Sequence, residues 1–256
     1  MLKSKFIIFQ KPEILWIFPV FFMLLLAFQS THNEHKECLA CPAAKPTETI
    51  FSHTAYSFSY NEKHEQANWV AYVLTKAHLG AGVERSDRFV EDPIVSTGTA
   101  SNQDYAKSGY DRGHLAPAAD MSWSEKVMQE SFYFSNMSPQ LPGFNRGIWK
   151  RLEEQVRDWA LLYDSLYIVT GPVLSPDLAH IGPNQVSIPK HYFKALISLK
   201  EKKGIAFYMP NQKSEAPLLQ FAMSIDALEE IVGLDLFHLL PELLEQQLES
   251  KRHIWP

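Results

Sequence analysis

At 256 residues, with 46% hydrophobic side chains, the chain holds apolar material for one sizeable core and little beyond it. Its formal charge of −5 excludes a protein that binds a polyanion through overall basicity, so any contact with nucleic acid must come from a local site. Both cysteines, Cys38 and Cys41, lie near the start, which excludes a thiol nucleophile or a four-thiolate zinc centre in the remainder.

Lys3, Lys5 and Lys11 flank the apolar run "ILWIFPVFFMLLLAF" at 14–28. Such a run is short for a membrane span, which needs about twenty residues, and it predicts a signal peptide or signal anchor over residues 1–28. Lysines on its N-terminal side place the rest of the chain across the membrane. The expectation is therefore an exported protein, periplasmic or otherwise extracytoplasmic, or one tethered to a membrane by its N-terminal segment. Residues 29–54 lack any apolar period and read as a flexible tether. Its CxxC, Cys38 and Cys41, suits a local disulfide or a lipid-modified Cys41.

The domain proper is expected over residues 55–256, with an α+β composition. "QANWVAYVLTKAH" at 66–78 suits a short helix or a strand equally. "LYIVTGPVL" from 166, "YFKALISL" from 192 and "GIAFYMP" from 204 predict three strands, the last two joined by a hairpin at "KEKKG". Near the end, "SIDALEEIVGLDLF" predicts a short helix capped by Ser224 or Asp226 and stopped by Gly233.

The chemistry concentrates between residues 110 and 160. "YDRGHLAPAAD" at 110–120 sets two acids, an arginine and a histidine among small residues, a succession that regular structure rarely uses because neighbouring side chains point apart. "FSNMSPQLPGFN" follows, with Asn136, Gln140 and Asn145 crowded together ahead of a helix. Amide oxygens suit a hard cation that keeps most of its waters, and a helix N-terminus favours an anion such as phosphate. In the helix itself, Ile148, Leu152, Val156, Trp159 and Tyr163 form one buried stripe. Asn145, Glu153 and Arg157 share an adjoining face, where the plain expectation is a cap followed by a surface ion pair one turn apart. For Asp111 the plain expectation is an ion pair with Arg112.

Taken together, "DRGH", "LAPAAD", "SNMSPQ", "FNRGIW" and "RLEEQVR" resemble the DNA/RNA non-specific endonuclease family, endonuclease G-like nucleases with a ββα-metal site. The resemblance runs over roughly residues 55–245. It implies the ββα-metal (His-Me finger) fold, with a central mixed or antiparallel sheet flanked by helices. It implies a sugar-non-specific endonuclease that cuts DNA and RNA with one Mg²⁺, or Mn²⁺ or another divalent ion in its place. His114 would be the general base, Asn145 the direct metal ligand and Glu153 the residue holding metal-bound water. Arg85 and Arg157 would grip the scissile phosphate with Arg112 nearby, while Asn136 and Gln140 would orient the metal and histidine region. Arg88, three residues beyond Arg85, competes with it for the phosphate.

The same roles follow from elementary chemistry. Hydrolysing a phosphodiester needs a base to deprotonate water, which a neutral histidine supplies, and cationic groups to meet the charge that develops on oxygen. A site that grips only the backbone cuts with little sequence preference. The alternative is a membrane-tethered nucleic-acid-binding protein of the same fold without turnover.

Overall fold

The central strands of the large sheet send alternate side chains into two buried cores, one on each face, which is why their sequences read as nearly continuous apolar runs. The computed structural model describes residues 38–80 and 82–256. In chain order the strands are β1 (Ile50–Ser52), β2 (Tyr56–Asn61), β3 (Gln66–Thr75), β4 (Asp111–His114), β5 (Met137–Gln140), β6 (Ser165–Pro172), β7 (His180–Ile181), β8 (Val186–Ser187), β9 (His191–Ser198), β10 (Lys203–Pro210) and β11 (Ala222–Met223). Seven of them form one sheet in the order β1-β2-β3-β6-β9-β10-β11, and every pairing is antiparallel.

The ambiguous segment 66–78 is thus a strand, β3, followed by one 3₁₀ turn over Lys76–His78. Along β3, Val70, Tyr72 and Leu74 enter one core while Trp69 and Ala71 enter the other. Strand β9 divides in the same way, with Tyr192 and Leu196 on the first face and Phe193, Ala195 and Ile197 on the second. The three predicted strands appear as β6, β9 and β10, and β9 pairs directly with β10 across the short turn at 199–202.

The helix Lys150–Tyr163 covers the first face. All five residues of its predicted stripe are buried, from Ile148 to Tyr163. The second face is covered by the helices Ile225–Val232 and Glu242–Glu249. Ser224 caps the former by accepting from the N–H of Ala227, and Gly233 ends it in the left-handed conformation.

The expectation of a flexible tether over 29–54 is corrected from Cys38 onward. Cys38 and Cys41 form a disulfide, and Ala40 and Cys41 are buried in the second core. Glu48 accepts from the indole N–H of Trp69 at 3.1 Å, and Ile50–Ser52 adds the edge strand β1. Single buried residues anchor this stretch, and they leave no periodic signature to read. The expected signal segment lies outside the described residues.

Strands β4 and β5 stand apart as a two-stranded ribbon, in register with Asp111 opposite Gln140 and His114 opposite Met137. The ribbon leads through a wide turn, Phe144–Trp149, into the helix Lys150–Tyr163. These two strands and one helix carry most of the residues expected at the site, Arg112, His114, Gln140, Glu153 and Arg157 among them.

Candidate active site

The "DRGH" strand is narrow by necessity. Gly113 faces Gln140 across the ribbon so closely that a Cβ there would sit 2.2 Å from the Gln140 carboxamide carbon. No residue larger than glycine fits between Arg112 and His114 without displacing the buried Gln140 side chain. On either side of this contact, Arg112 and His114 project into a cavity of about 480 Å³ whose lining also includes Arg85, Asn145, Arg146, Lys150, Glu153 and Arg157. A larger hollow, about 650 Å³, lies elsewhere beside Lys45, Tyr60, His64 and Phe193, but it has no arginine and its His64 already bonds Ser187. The smaller cavity is the one with convergent chemistry.

His114 packs edge-on against Phe132, with ring centroids 4.8 Å apart, and lies near Phe89. Its Nε2 is buried and has no hydrogen-bond partner. Burial, followed by the charge of Arg85, lowers its pKa to about 3, so the ring is neutral near pH 7. A neutral imidazole that lines a cavity can accept a proton.

Asn145 is aimed from behind. Its Nδ2 donates to Asp111 Oδ2 at 2.9 Å, while Arg146 donates to both oxygens of the same carboxylate, at 2.8 and 2.6 Å. Burial alone would raise the pKa of Asp111, but the bonds from Arg146 and Asn145 outweigh it and hold the carboxylate below its usual range. The expected Asp111–Arg112 pair is therefore corrected: Asp111 engages Asn145 and Arg146, because its partners come from the turn opposite the ribbon. With its amide N–H₂ spent on Asp111, Asn145 retains its carbonyl oxygen for the cavity. That neutral oxygen beside the carboxylate of Glu153 is a donor set that fits one hard, largely hydrated divalent ion.

Arg157 does not pair with Glu153 one turn away on a wet surface. It donates to Asp120 Oδ1 at 3.0 Å, and Tyr72 donates to the other oxygen of Asp120 at 2.8 Å. Asp120, the last residue of "YDRGHLAPAAD", is 1% exposed. Behind Glu153 lies Lys194 of β9, wholly buried, 5.0 Å from the Trp149 ring and 3.5 Å from the Leu115 carbonyl oxygen that accepts from it. Burial raises the pKa of Glu153 and lowers that of Lys194, and the attraction between them opposes both shifts. The helix thus sets Glu153 among one further acid, Asp120, and two bases, Lys194 and Arg157.

Of the eight residues expected at the site, Arg85, Arg112, His114, Asn145, Glu153 and Arg157 line the one cavity. Asn136 and Gln140 stand behind it. Asn136 accepts from the Ala116 N–H and donates to the Ala116 and Ser131 carbonyls, which pins the chain two residues after His114. Gln140 packs on Gly113, as described. Both competing arginines are exposed, and Arg85 lines the cavity, with its guanidinium 4.9 Å from the Phe132 ring and its Nε donating to Asp87 at 2.6 Å, whereas Arg88 lies outside the lining. Arg112 lies over Phe89 at 5.0 Å and Tyr105 at 5.9 Å.

Sequence reasoning missed Asp120, Lys194, Arg146 and Lys150. The parity of β9 carries a signal for Lys194, since it falls in phase with the core residues Tyr192 and Leu196. Arg146 and Lys150 bring the lining to five cations and one carboxylate. Four of these cations also hold a carboxylate partner, Arg85 with Asp87, Arg146 with Asp111, Lys150 with Glu154 and Arg157 with Asp120, so a chain of net charge −5 concentrates its cations here in paired form.

Two strands and a helix that set a histidine, an asparagine and a glutamate among arginines define a ββα-metal hydrolase. The family described as DNA/RNA non-specific endonuclease matches residues 42–243. A nuclease of Syncephalastrum racemosum is 37% identical over 80% of this chain and 72% of its own length, and human mitochondrial endonuclease G is 36% identical over 72% and 67%. The chain spans about two thirds of the length of such relatives. The crystal structure of EndoG in complex with EndoGI superposes with a TM-score of 0.74 at 31% identity, covering 82% of this chain and 91% of that one. The chain belongs to the DNA/RNA non-specific endonuclease family, and its function is that of a metal-dependent endonuclease.

The comparisons overturn the expectation of an exported, periplasmic or membrane-anchored protein. Human endonuclease G and several other relatives are named as mitochondrial nucleases. Among the described residues no helix is long and apolar enough to cross a membrane.

Proposed function

We propose that this endonuclease cleaves DNA and RNA backbones with a single Mg²⁺, using His114 as general base and Asn145 as the direct metal ligand. The observation that carries this reading is the convergence of the neutral His114 ring, the pre-aimed Asn145 and four arginines on one cavity. Neutral His114 takes the proton of the attacking water, and the hydrophobic faces of Phe89 and Phe132 keep that ring uncharged until it does. Arg85, Arg112 and Arg157 bind the non-bridging oxygens of the scissile phosphate, and Asp120 fixes the approach of Arg157. Asn145 with Glu153 holds the ion and its water shell. The ion, when bound, neutralises phosphate charge and supplies an acidic water for the leaving oxygen.

Arginines that grip phosphate oxygens recognise the backbone alone, which gives broad sequence tolerance. The test is cleavage of plasmid DNA and of RNA with added Mg²⁺, with EDTA, and with His114→Ala or Asn145→Ala. EDTA should abolish cleavage, and His114→Ala should lower the rate about a hundredfold to ten-thousandfold at unchanged helical content. Near wild-type turnover by His114→Ala removes it as the base. An unchanged Mg²⁺ dependence in Asn145→Ala places the ion elsewhere.

A further inference from the structure

On the opposite face of the sheet, the helices Ile225–Val232 and Glu242–Glu249 bring three carboxylates together. One oxygen from each of Asp226, Glu229 and Glu249 lies within 4.8 Å of the others. Two oxygens that bind one Ca²⁺ at about 2.4 Å stand at most about 4.8 Å apart, so the spacing is that of ligands to a shared ion.

A second observation points to a ligand. Glu249 is only 3% exposed, yet its Oε1 is buried and has no hydrogen-bond partner. Buried polar groups are ordinarily hydrogen-bonded or paired. Glu249 also occupies the last turn of its helix, where free carbonyls already face the end and a further negative charge is least welcome. Glu229 accepts from the Leu236 N–H at 2.5 Å through Oε1, which fixes the carboxylate and leaves its second oxygen available. Asp226 is exposed and opens the cluster to solvent.

Protein cations do not satisfy the group. Among the described residues no lysine, arginine or histidine forms an ion pair with any of the three. Asp235 and Glu245 add negative charge nearby, and His238 lies close to Glu245.

We propose that Asp226, Glu229 and Glu249 form a structural site for a hard divalent cation, Ca²⁺ in preference to Mg²⁺, that clamps the two C-terminal helices to each other. Ca²⁺ takes six to eight oxygens in adaptable geometry, which carboxylates on two separate helices can supply together with water, whereas Mg²⁺ demands a near-ideal octahedron and parts with water reluctantly. The site shares no residue with the hydrolytic cavity. It stands whether or not the catalytic assignments hold.

The test uses the full chain carrying Asn145→Ala, so that the hydrolytic site contributes no direct ligand. After chelation and removal of the chelator, thermal melting is followed as CaCl₂ is added. At a hundredfold excess over Kd, Ca²⁺ should raise Tm by about 5–10 °C. The shift should vanish on adding Glu249→Gln, and shrink with Asp226→Asn, each of which keeps side-chain shape and removes charge. In the wild-type background both substitutions should leave nuclease turnover in Mg²⁺ unchanged. No shift in the Asn145→Ala protein overturns the proposal, and so does an equal shift in all three proteins. Asp226 is exposed, so Asp226→Asn decides the matter if Glu249→Gln does not fold.

Discussion

Replacing Gly113 by alanine adds one methyl group at the tightest point of the ribbon. That carbon would stand 2.2 Å from both Cδ and Oε1 of Gln140 and 2.4 Å from its Cγ. Carbon atoms rest about 3.5–4.0 Å apart, so one partner must retreat by more than about 1 Å. Gln140 is fully buried and cannot swing into solvent, and β4 carries His114 as its next residue. Overpacking of this kind costs roughly 1–3 kcal/mol, equivalent to about 2–12 °C in Tm for a domain of this size. A catalytic group misplaced by about 1 Å loses about a hundredfold in rate. We therefore expect Gly113→Ala to lower kcat about a hundredfold with little change in KM, together with the loss in Tm. Steady-state cleavage of a fluorescent duplex and a thermal melt measure both. Truncating Gln140 as well removes the obstruction, so the Gly113→Ala/Gln140→Ala protein should melt higher than the sum of the single losses. Wild-type Tm and kcat in Gly113→Ala, or strict additivity in the double variant, would refute the steric argument.

Asp111→Ala should release the amide of Asn145 and raise the Mg²⁺ concentration for half-maximal rate about ten- to a hundredfold, as loss of an outer-shell orienting group does; an unmoved Mg²⁺ titration would show that Asn145 is aimed by other means. Lys194→Met removes a buried cation that favours ionised Glu153, so the acidic limb of the pH–rate profile should move to higher pH while circular dichroism stays unchanged. Superimposable profiles would remove Lys194 from the charge balance of the site. Because His114 is held neutral down to about pH 3 while an unfolded histidine takes a proton near 6.5, the unfolded state binds the extra proton between those values. Stability in EDTA should accordingly fall as pH drops below about 6.5, by up to about 1.4 kcal/mol per pH unit from this residue. His114→Ala should lack that component, and parallel Tm–pH curves for the two proteins would contradict it.

The sequence exposes the site better than the scaffold beneath it. Six cavity residues are named through the family resemblance that short blocks such as "DRGH" and "FNRGIW" carry, and the five-residue stripe from Ile148 to Tyr163 is readable because it follows the helical period. Segment 66–78 is ambiguous for the opposite reason: β3 is buried on both faces, so its apolar residues lose the alternation that marks a strand. The partners of charged residues are harder still. Asp120 is 37 residues from Arg157 and Asp111 is 35 from Arg146, whereas a helix offers Glu153 as a local partner for Arg157 at every reading. Only the folded topology decides between a neighbour one turn away and a carboxylate brought from a different strand or loop.

The wide turn Phe144–Trp149 breaks helical geometry at Gly147, whose φ of −106° and ψ of −111° belong to neither flank. A continuous α-helix would lock every side chain to one screw at about 100° per residue, so that turning Asn145 would turn Glu153 and Arg157 with it. The break acts as a clutch between two segments. Asn145 and Arg146 take their bearing from Asp111 on the ribbon, while Glu153 and Arg157 take theirs from the apolar stripe and Asp120. Substitutions that rotate the long helix slightly in its socket would leave the aim of Asn145 intact, and changes in the ribbon would leave Arg157 where it is. The two halves of the site can therefore be adjusted separately, as two sights on one barrel are.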